Sequence, residues 1–301
     1  MAKPSQIDGY DPKVTDGCER VLVTLMRGLG PYKESVYLVG GLVPRYLVSG
    51  RPPEIKPHAG TGDVDVVIDM TILTDTEAYS TLEQNLDRMG FERATNAIGD
   101  KISWRWKNRL AEGLAVVLEF LAEGPDGKVR VAETLPTKGK VSAMHIPHAS
   151  IVHDHFDMVD IEAELLGGNG TTTETIKYAD IVAFTCLKAF AFDQRAERKD
   201  AHDLIYCLEN NDIGMDEIAV KFAGALGGNH KDTIAQALDI LRKRFCNEGE
   251  DDGYQKDGPI AAMKFELGDD VSAEDRDRQI LRQREVNTAI ENLLAAIEAL
   301  V

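Results

Sequence analysis

The chain has no run of 18 apolar residues, which excludes a membrane-spanning helix. Its opening, MAKPSQIDGYDPK, holds no apolar core, so no secretory leader is expected and the cytoplasm is the expected compartment. Cysteine is scarce. Cys18, Cys186, Cys207 and Cys246 form no C-x-x-C pair and are not spaced as a zinc ribbon, so reduced thiols are expected. Positive charge is short too: 34 Lys plus Arg stand against 51 Asp plus Glu, a formal charge of −17. That balance argues against a protein coated in nucleic acid, whose affinity comes from many cationic contacts, although a local basic groove is compatible with it. The patterns G-x-S-x-G, Walker A and G-x-G-x-x-G are missing, so hydrolase, P-loop and Rossmann readings lack support. There is no internal repeat and no low-complexity tract. What is present is a globular composition, 43% hydrophobic and 28% charged over 301 residues, enough for one large domain or two modest ones.

Hydrophobic periodicity orders the first half. Apolar residues Val14, Cys18, Val21, Leu22, Leu25 and Met26 have helical spacing over 11–29, closed by Gly28 and Gly30. VYLVGG (36–41) reads as a buried strand entering a glycine pair, and GLVPRYLVSG as a short helix with Pro44 in its first turn. A Pro- and Gly-rich loop fills 50–62. DVDVVIDM (63–70) is a β-branched strand, and 76–90 an amphipathic helix closed by Gly90. KISWRWKNR (101–109) and LAVVLEFLA (114–122) read as strands joined at Glu112-Gly113. Beyond residue 150 the pattern is mainly helical. Segment 177–210 holds one long helix or two in series, and helices follow at 213–226 and 233–246. Residues 248–258 form an acidic loop. A last helix over 272–301 is capped by Ser272 with Asp275, its stripe being Leu281, Val286, Ile290, Leu293, Leu294 and Ile297.

The chemistry sits in the carboxylates. Asp63 and Asp65 are one residue apart on a strand, so both side chains leave the same face. Two such carboxylates repel unless a cation joins them, and Mg2+ or Mn2+ prefers hard oxygen ligands. Glu119 is the one acid in an apolar strand and needs a partner there. Antiparallel pairing of the two strands would bring Glu119 beside Asp63 and Asp65, making a metal site. The plainer readings are a common D-x-D and an edge glutamate facing solvent. Asp69 shares the face but ends the strand and is expected in a turn. Gly40 and Gly41, between a strand and a helix, let backbone approach a phosphate closely. Strand, glycine pair, helix and D-x-D strand in that order supply what phosphoryl or nucleotidyl transfer requires.

LVGG followed by DVDVVID resembles the nucleotidyltransferases of the polymerase-beta-like superfamily. The resemblance implies that Gly40 and Gly41 hold an NTP and that Asp63, Asp65 and Glu119 ligate Mg2+ (or Mn2+). Glu at 119 departs from the usual Asp, and the stretch from Gly41 to Asp63 is longer than usual. Further on, Lys188, Arg195, Lys199, Asp200, Asp203 and Leu204 are similar to the K…R…(K/R)D-x-x-D-L pattern of the AbiEii-type nucleotidyltransferases, toxins of abortive-infection and type IV toxin–antitoxin systems. This implies that Lys188 contacts nucleotide phosphates and that Asp203 helps build the catalytic site. Arg45, Arg195 and Lys199 join Lys188 as candidate nucleotide-binding cations. An unbroken helix would align Lys188, Arg195 and Lys199 on one face, whereas a solvated face of ion pairs, or a loop through DQRAERKD, would give no such stripe.

The expected fold is therefore α+β, a nucleotidyltransferase-type mixed sheet flanked by helices over 1–165, then a mainly helical C-terminal domain over 166–301. The expected activity is transfer of NMP from an NTP to an acceptor such as tRNA or protein, with an antitoxin protein as a possible partner and no membrane. The alternatives are a catalytically idle binding module and a small-molecule, antibiotic-modifying nucleotidyltransferase. In KISWRWKNR, Trp104 and Trp106 share one face; Lys101, Arg105, Lys107 and Arg109 share the other, either solvated or guiding a polyanionic acceptor. His145, His148, His153 and His155 cluster without a zinc-finger spacing and are expected at the rim of a strand rather than on a metal.

Overall fold

The computed structural model describes residues 4–50, 53–75, 81–110, 115–124, 131–135, 141–249, 251–269 and 273–301. Among them the chain forms α1 (Pro12–Leu29), β1 (Val36–Val39), α2 (Pro44–Leu47), β2 (Asp63–Ile68), α3 (Met70–Asp75), α4 (Leu82–Arg88), β3 (Glu92–Thr95), β4 (Lys101–Arg109) and β5 (Ala115–Glu123). There follow β6 (Ala132–Thr134), β7 (Ser142–Ile146), α5 (Ile151–Asp154), β8 (Phe156–Glu164) and β9 (Thr171–Ala179). The rest is helical: α6 (Ile181–Arg195), α7 (Arg198–Asn210), α8 (Gly214–Ala225), α9 (Lys231–Phe245), α10 (Asp257–Leu267) and α11 (Ala273–Glu298). The fold is α+β, with a mixed sheet, flanking helices and a helical C-terminal part.

Two compact units divide the chain, and the division does not fall at residue 165. The sheet unit is Asp11–Val43 with Gly60–Asp180; the helical unit is Met1–Tyr10, Pro44–Ala59 and Ile181–Val301. The sheet thus keeps β9, beyond the expected boundary, and the helical unit takes back the segment between the glycine pair and the D-x-D strand.

In the sheet unit the strand order is β3-β4-β5-β2-β1-β9-β8, with β7 also on β5 and β6 on β7. β1 runs antiparallel to β2, and β2 runs parallel to β5 with Asp65 opposite Glu119. The expected antiparallel pairing of β2 and β5 is therefore wrong in direction. β2 is buried at Val64, Val66, Val67 and Ile68, as a central strand of β-branched residues should be. Asp69 ends it and turns the chain, its Oδ1 accepting from the Thr71 (2.9 Å) and Ile72 (3.2 Å) amides at the start of α3.

α1 starts where Asp11 caps the Lys13 amide and Pro12 takes the first position. Its buried side is Cys18, Val21, Leu22, Leu25, Met26 and Leu29, each such side chain contributing roughly 1.5–3 kcal/mol by burial. Gly28 lies inside the helix, packed against Met89, rather than ending it. The helix expected over 76–90 is observed as α4; 76–80 and Glu112-Gly113 lie outside the described residues.

Several elements were not anticipated, β3, β8, β9 and α10 among them. β3 pairs with β4. β8 and β9 form a nine-pair antiparallel hairpin from Phe156↔Ala179 to Glu164↔Thr171, where mainly helix was expected. Their alternation, FDMVDIEAE and TTTETIKYA, is the strand period, with Thr and Ile favouring the extended backbone. α10 occupies 257–267, directly after the acidic loop.

In the helical unit α6 is buried nearly all round, and Phe184, Phe192, Phe222, Phe245 and Phe265 make its core. α11 buries Val286, Ile290, Leu293, Leu294 and Ile297, but Leu281 is 58% exposed. Leu281 lies five positions before Val286, about 140° round the helix, which turns it off the stripe. Ser272 lies outside the described residues.

Candidate functional site

The register of the sheet assembles the three acids. Asp63 and Asp65 leave one face of β2, and the parallel pair Asp65↔Glu119 carries Glu119 to the same face of β5. One carboxylate oxygen from each of Asp63, Asp65 and Glu119 lies within 4.8 Å of the others. Asp63 is buried, and the Thr61 hydroxyl donates to its Oδ1 at 2.6 Å, fixing its orientation. A donor set of carboxylate oxygens with no sulfur or imidazole fits Mg2+ or Mn2+ rather than a softer metal. The nearby Cys18 is not part of that set. Burial first, then the charges of Asp63 and Asp65, push its thiol far above the ordinary range, and it donates to the Thr61 carbonyl at 3.6 Å.

The glycine pair borders this cluster. β1 ends at Val39, opposite Asp65, and Gly40 follows with φ +75°. A Cβ at Gly40 would collide with the Asp65 carboxylate, so glycine is required by both backbone and space. Gly40 and Gly41 open a single 3-10 turn at 40–42.

A feature outside the expected site residues changes its charge. Arg105 on β4 stands directly across from Glu119, with Nε 2.9 Å from Glu119 Oε1. Arg105 thus brings one cation of the alternating face Lys101, Arg105, Lys107, Arg109 onto the acids. On the opposite face Trp106 is buried under the Arg93 guanidinium, while Trp104 is half-buried.

The cations expected to bind nucleotide are arranged differently in the helical unit. α6 ends at Arg195, Ala196 takes φ +49°, and α7 starts at Arg198, so no continuous stripe of Lys188, Arg195 and Lys199 exists. The pattern is instead an ion-pair network. Lys188 Nζ contacts Asp200 Oδ1 (3.0 Å) and Asp203 Oδ2 (2.6 Å); Arg195 forks onto Asp200 (2.6 and 2.8 Å). Lys199 holds both Asp203 oxygens (2.7 and 2.8 Å), and His58 Nε2 lies 2.7 Å from Asp203 Oδ1. Lys188, Asp200 and Asp203 are buried, so neither a solvated face nor an open phosphate comb describes them.

The charges there hold one another in place. Burial would raise the Asp203 carboxyl, but Lys188, Lys199 and His58 hold it well below the usual range. Burial would lower Lys188, and Asp203 and Asp200 outweigh it and raise it. Burial lowers His58 to about 4 against the pull of Asp203. Next to this, His202 Nδ1 meets Glu266 at 3.0 Å, and Arg282 clamps Glu266 and Glu209. Burial raises Glu266, but hydrogen bonds from His202 and Arg282 bring it down to about 2. His58, His202 and Asp203 also place ligand atoms within 4.8 Å of one another. A metal ion there would face the two ammonium groups already on Asp203, which disfavours it. Arg45 lies on the short α2 of this unit.

The other sequence signals resolve simply. His145, His153 and His155 approach separate acids, Glu133 (3.2 Å), Asp69 (3.8 Å) and Asp180 (3.8 Å), and His148 is held by its amide to Glu123. Among the described residues no metal-ligand grouping contains them. All four cysteines are free and buried.

Sequence reasoning missed His58, Thr61 and Arg105. Thr61 and His58 precede the D-x-D by a few residues and carried no periodic signal. The face of Arg105 was legible from alternation, but its partner was not. No family model, curated protein or solved structure matches this chain.

Proposed function

We propose that the sheet unit is the core of a metal-dependent nucleotidyltransferase. The observation that carries this reading is the convergence of Asp63, Asp65 and Glu119 on one sheet face against Gly40. Held by those three carboxylates, Mg2+ or Mn2+ would supply charge stabilisation for the reacting phosphate. Gly40 and Gly41 would present backbone N–H groups to the triphosphate of an NTP. Thr61 holds Asp63 in one orientation, and one of the carboxylates would take the proton of the acceptor hydroxyl. The hydroxyl oxygen bonds to the α-phosphorus, the bond to the bridging oxygen breaks, and pyrophosphate leaves.

Within this reading the chain is a cytoplasmic relative of the AbiEii-type toxins, with a tRNA end or a protein side chain as acceptor and an antitoxin protein as partner. Lys188 and Asp203 are each committed to buried ion pairs of the helical unit. Replacing both acids, Asp63→Asn with Asp65→Asn, is expected to cut incorporation of labelled nucleotide into RNA or protein by roughly a hundredfold or more while leaving the fold intact. Equal labelling by both proteins rejects the reading.

The second reading, a catalytically idle nucleotidyltransferase-like binding module, is favoured by the Arg105 contact, which already satisfies part of the acidic charge. Calorimetry separates the two: a catalytic site takes up Mg-NTP, and absence of heat with all four nucleotides supports the scaffold.

A further inference from the structure

In a chain of formal charge −17, one groove of the sheet unit collects positive charge. Its volume is about 960 Å3, and its walls carry Arg20, Arg27, Arg88, Lys107 and Arg109. They come from three places in the unit: the middle and end of α1, the end of α4, and the end of β4. Among the described residues two carboxylates, Glu92 and Glu164, share the walls, and Arg27 also meets Glu174 at 3.5 Å. Glu164 is taken up by Arg20 at 3.0 Å, and Glu92 lies opposite Lys107 in the β3–β4 register. Arg88 and Arg109 are exposed. None of Asp63, Asp65, Glu119, Gly40 or Gly41 lines this groove.

The remaining wall is the turn between β8 and β9, Leu166 to Asn169, whose Gly167 and Gly168 bring bare backbone to the surface. The turn is tied to α1: the Leu166 amide donates to Thr24 Oγ1 at 3.0 Å, and Arg20 Nε donates to the Glu164 carbonyl at 3.2 Å. A concave cationic site on tied elements focuses the field on an anion and needs little reordering to bind one. Arginine forks match phosphate oxygens in pairs, and the volume lies in the range of small-ligand sites.

We propose that this groove binds a small anion carrying two or more phosphate groups, at a site separate from the carboxylate cluster. Recognition is by charge and phosphate geometry, so inorganic tripolyphosphate, ATP and adenosine separate its components. The site does not depend on the nucleotidyltransferase reading.

The test is calorimetric titration of the full chain with tripolyphosphate in EDTA, which silences any divalent-cation route. Saturable binding that weakens as salt is raised is expected, with ATP binding comparably and adenosine not at all. Arg88→Glu with Arg109→Glu is expected to weaken binding at least about tenfold, and Arg88→Gln with Arg109→Gln to do so less, each checked for folding by its unfolding midpoint. Asp63→Asn with Asp65→Asn is expected to leave it unchanged. Absence of tripolyphosphate binding, equal binding by the arginine variants, or binding of single-stranded RNA without tripolyphosphate overturns the proposal. Loss in the Asp63/Asp65 variant assigns the anion to the carboxylate cluster and overturns the separate site.

Discussion

The two acid-rich regions use the same residue types to opposite ends. On the sheet, Asp63, Asp65 and Glu119 converge with Arg105 as the cation engaged. In the helical unit, Asp200, Asp203, Glu209 and Glu266 are answered by Lys188, Arg195, Lys199 and Arg282. The first region brings three carboxylates, a donor set of hard oxygens, onto one sheet face. The second is balanced, and Lys188, Asp200, Asp203, Glu266 and Arg282 are held in their charged forms by their neighbours. Clustering of ionisable groups is thus no sign of a ligand site by itself; the charge balance inside the cluster separates a site from a brace.

The sharpest way to break this contrast is to remove one member of the balanced network. Asp203→Ala takes the nearer of two carboxylates from the buried Lys188 ammonium and a shared partner from Lys199 and His58, and is expected to cost about 3–5 kcal/mol of stability, read from urea unfolding. The same readout on Asp63→Asn with Asp65→Asn should show a much smaller loss, since Asn keeps an oxygen to accept from the Thr61 hydroxyl. A comparable loss in both would erase the distinction.

Acidity probes the brace next. His58 has its folded pKa lowered to about 4 from 6.5, so the unfolded chain binds the extra proton between these values. Stability from keeping it neutral is complete above pH 6.5 and is lost as pH falls towards 4, roughly 3 kcal/mol in all. Glu266, lowered from 4.5 to about 2, extends the loss below pH 4.5. The unfolding midpoint against pH checks both, and a flat profile from pH 7 to 4 contradicts the assignment.

The smallest effect is on the sheet. Arg105→Gln removes one counter-charge from Glu119 and is expected to tighten Mn2+ binding about tenfold, with Arg105→Lys close to the parent. Titration followed by Mn2+ resonance reads this directly. Unchanged affinity would mean that Arg105 does not set the charge of the cluster.

Local signals were legible where a residue's neighbours in sequence decide its structure. β4 was expected at 101–109 and is observed there; the shared face of Asp63 and Asp65 follows from alternation alone. Legibility failed at the β8–β9 hairpin, whose strands are half exposed and rich in charge, so the apolar pattern was thin. It failed also at Ala196, where one residue in the left-handed region divides α6 from α7 without a glycine or proline to announce it. Leu281 shows the same limit within a helix, since an apolar residue off the stripe by its angle remains exposed.

What the sequence by itself determined were faces and periods: two carboxylates on one side of a strand, a glycine pair at its neighbour's end, a basic side and an aromatic side on β4. Those follow from covalent geometry within a few residues. Only the tertiary structure decided that β2 and β5 run parallel with Asp65 opposite Glu119, that Arg105 answers Glu119, and that the cations of α6 and α7 are paired with carboxylates. Pairing direction and charge partners depend on which distant segments burial brings together, and no local period encodes that.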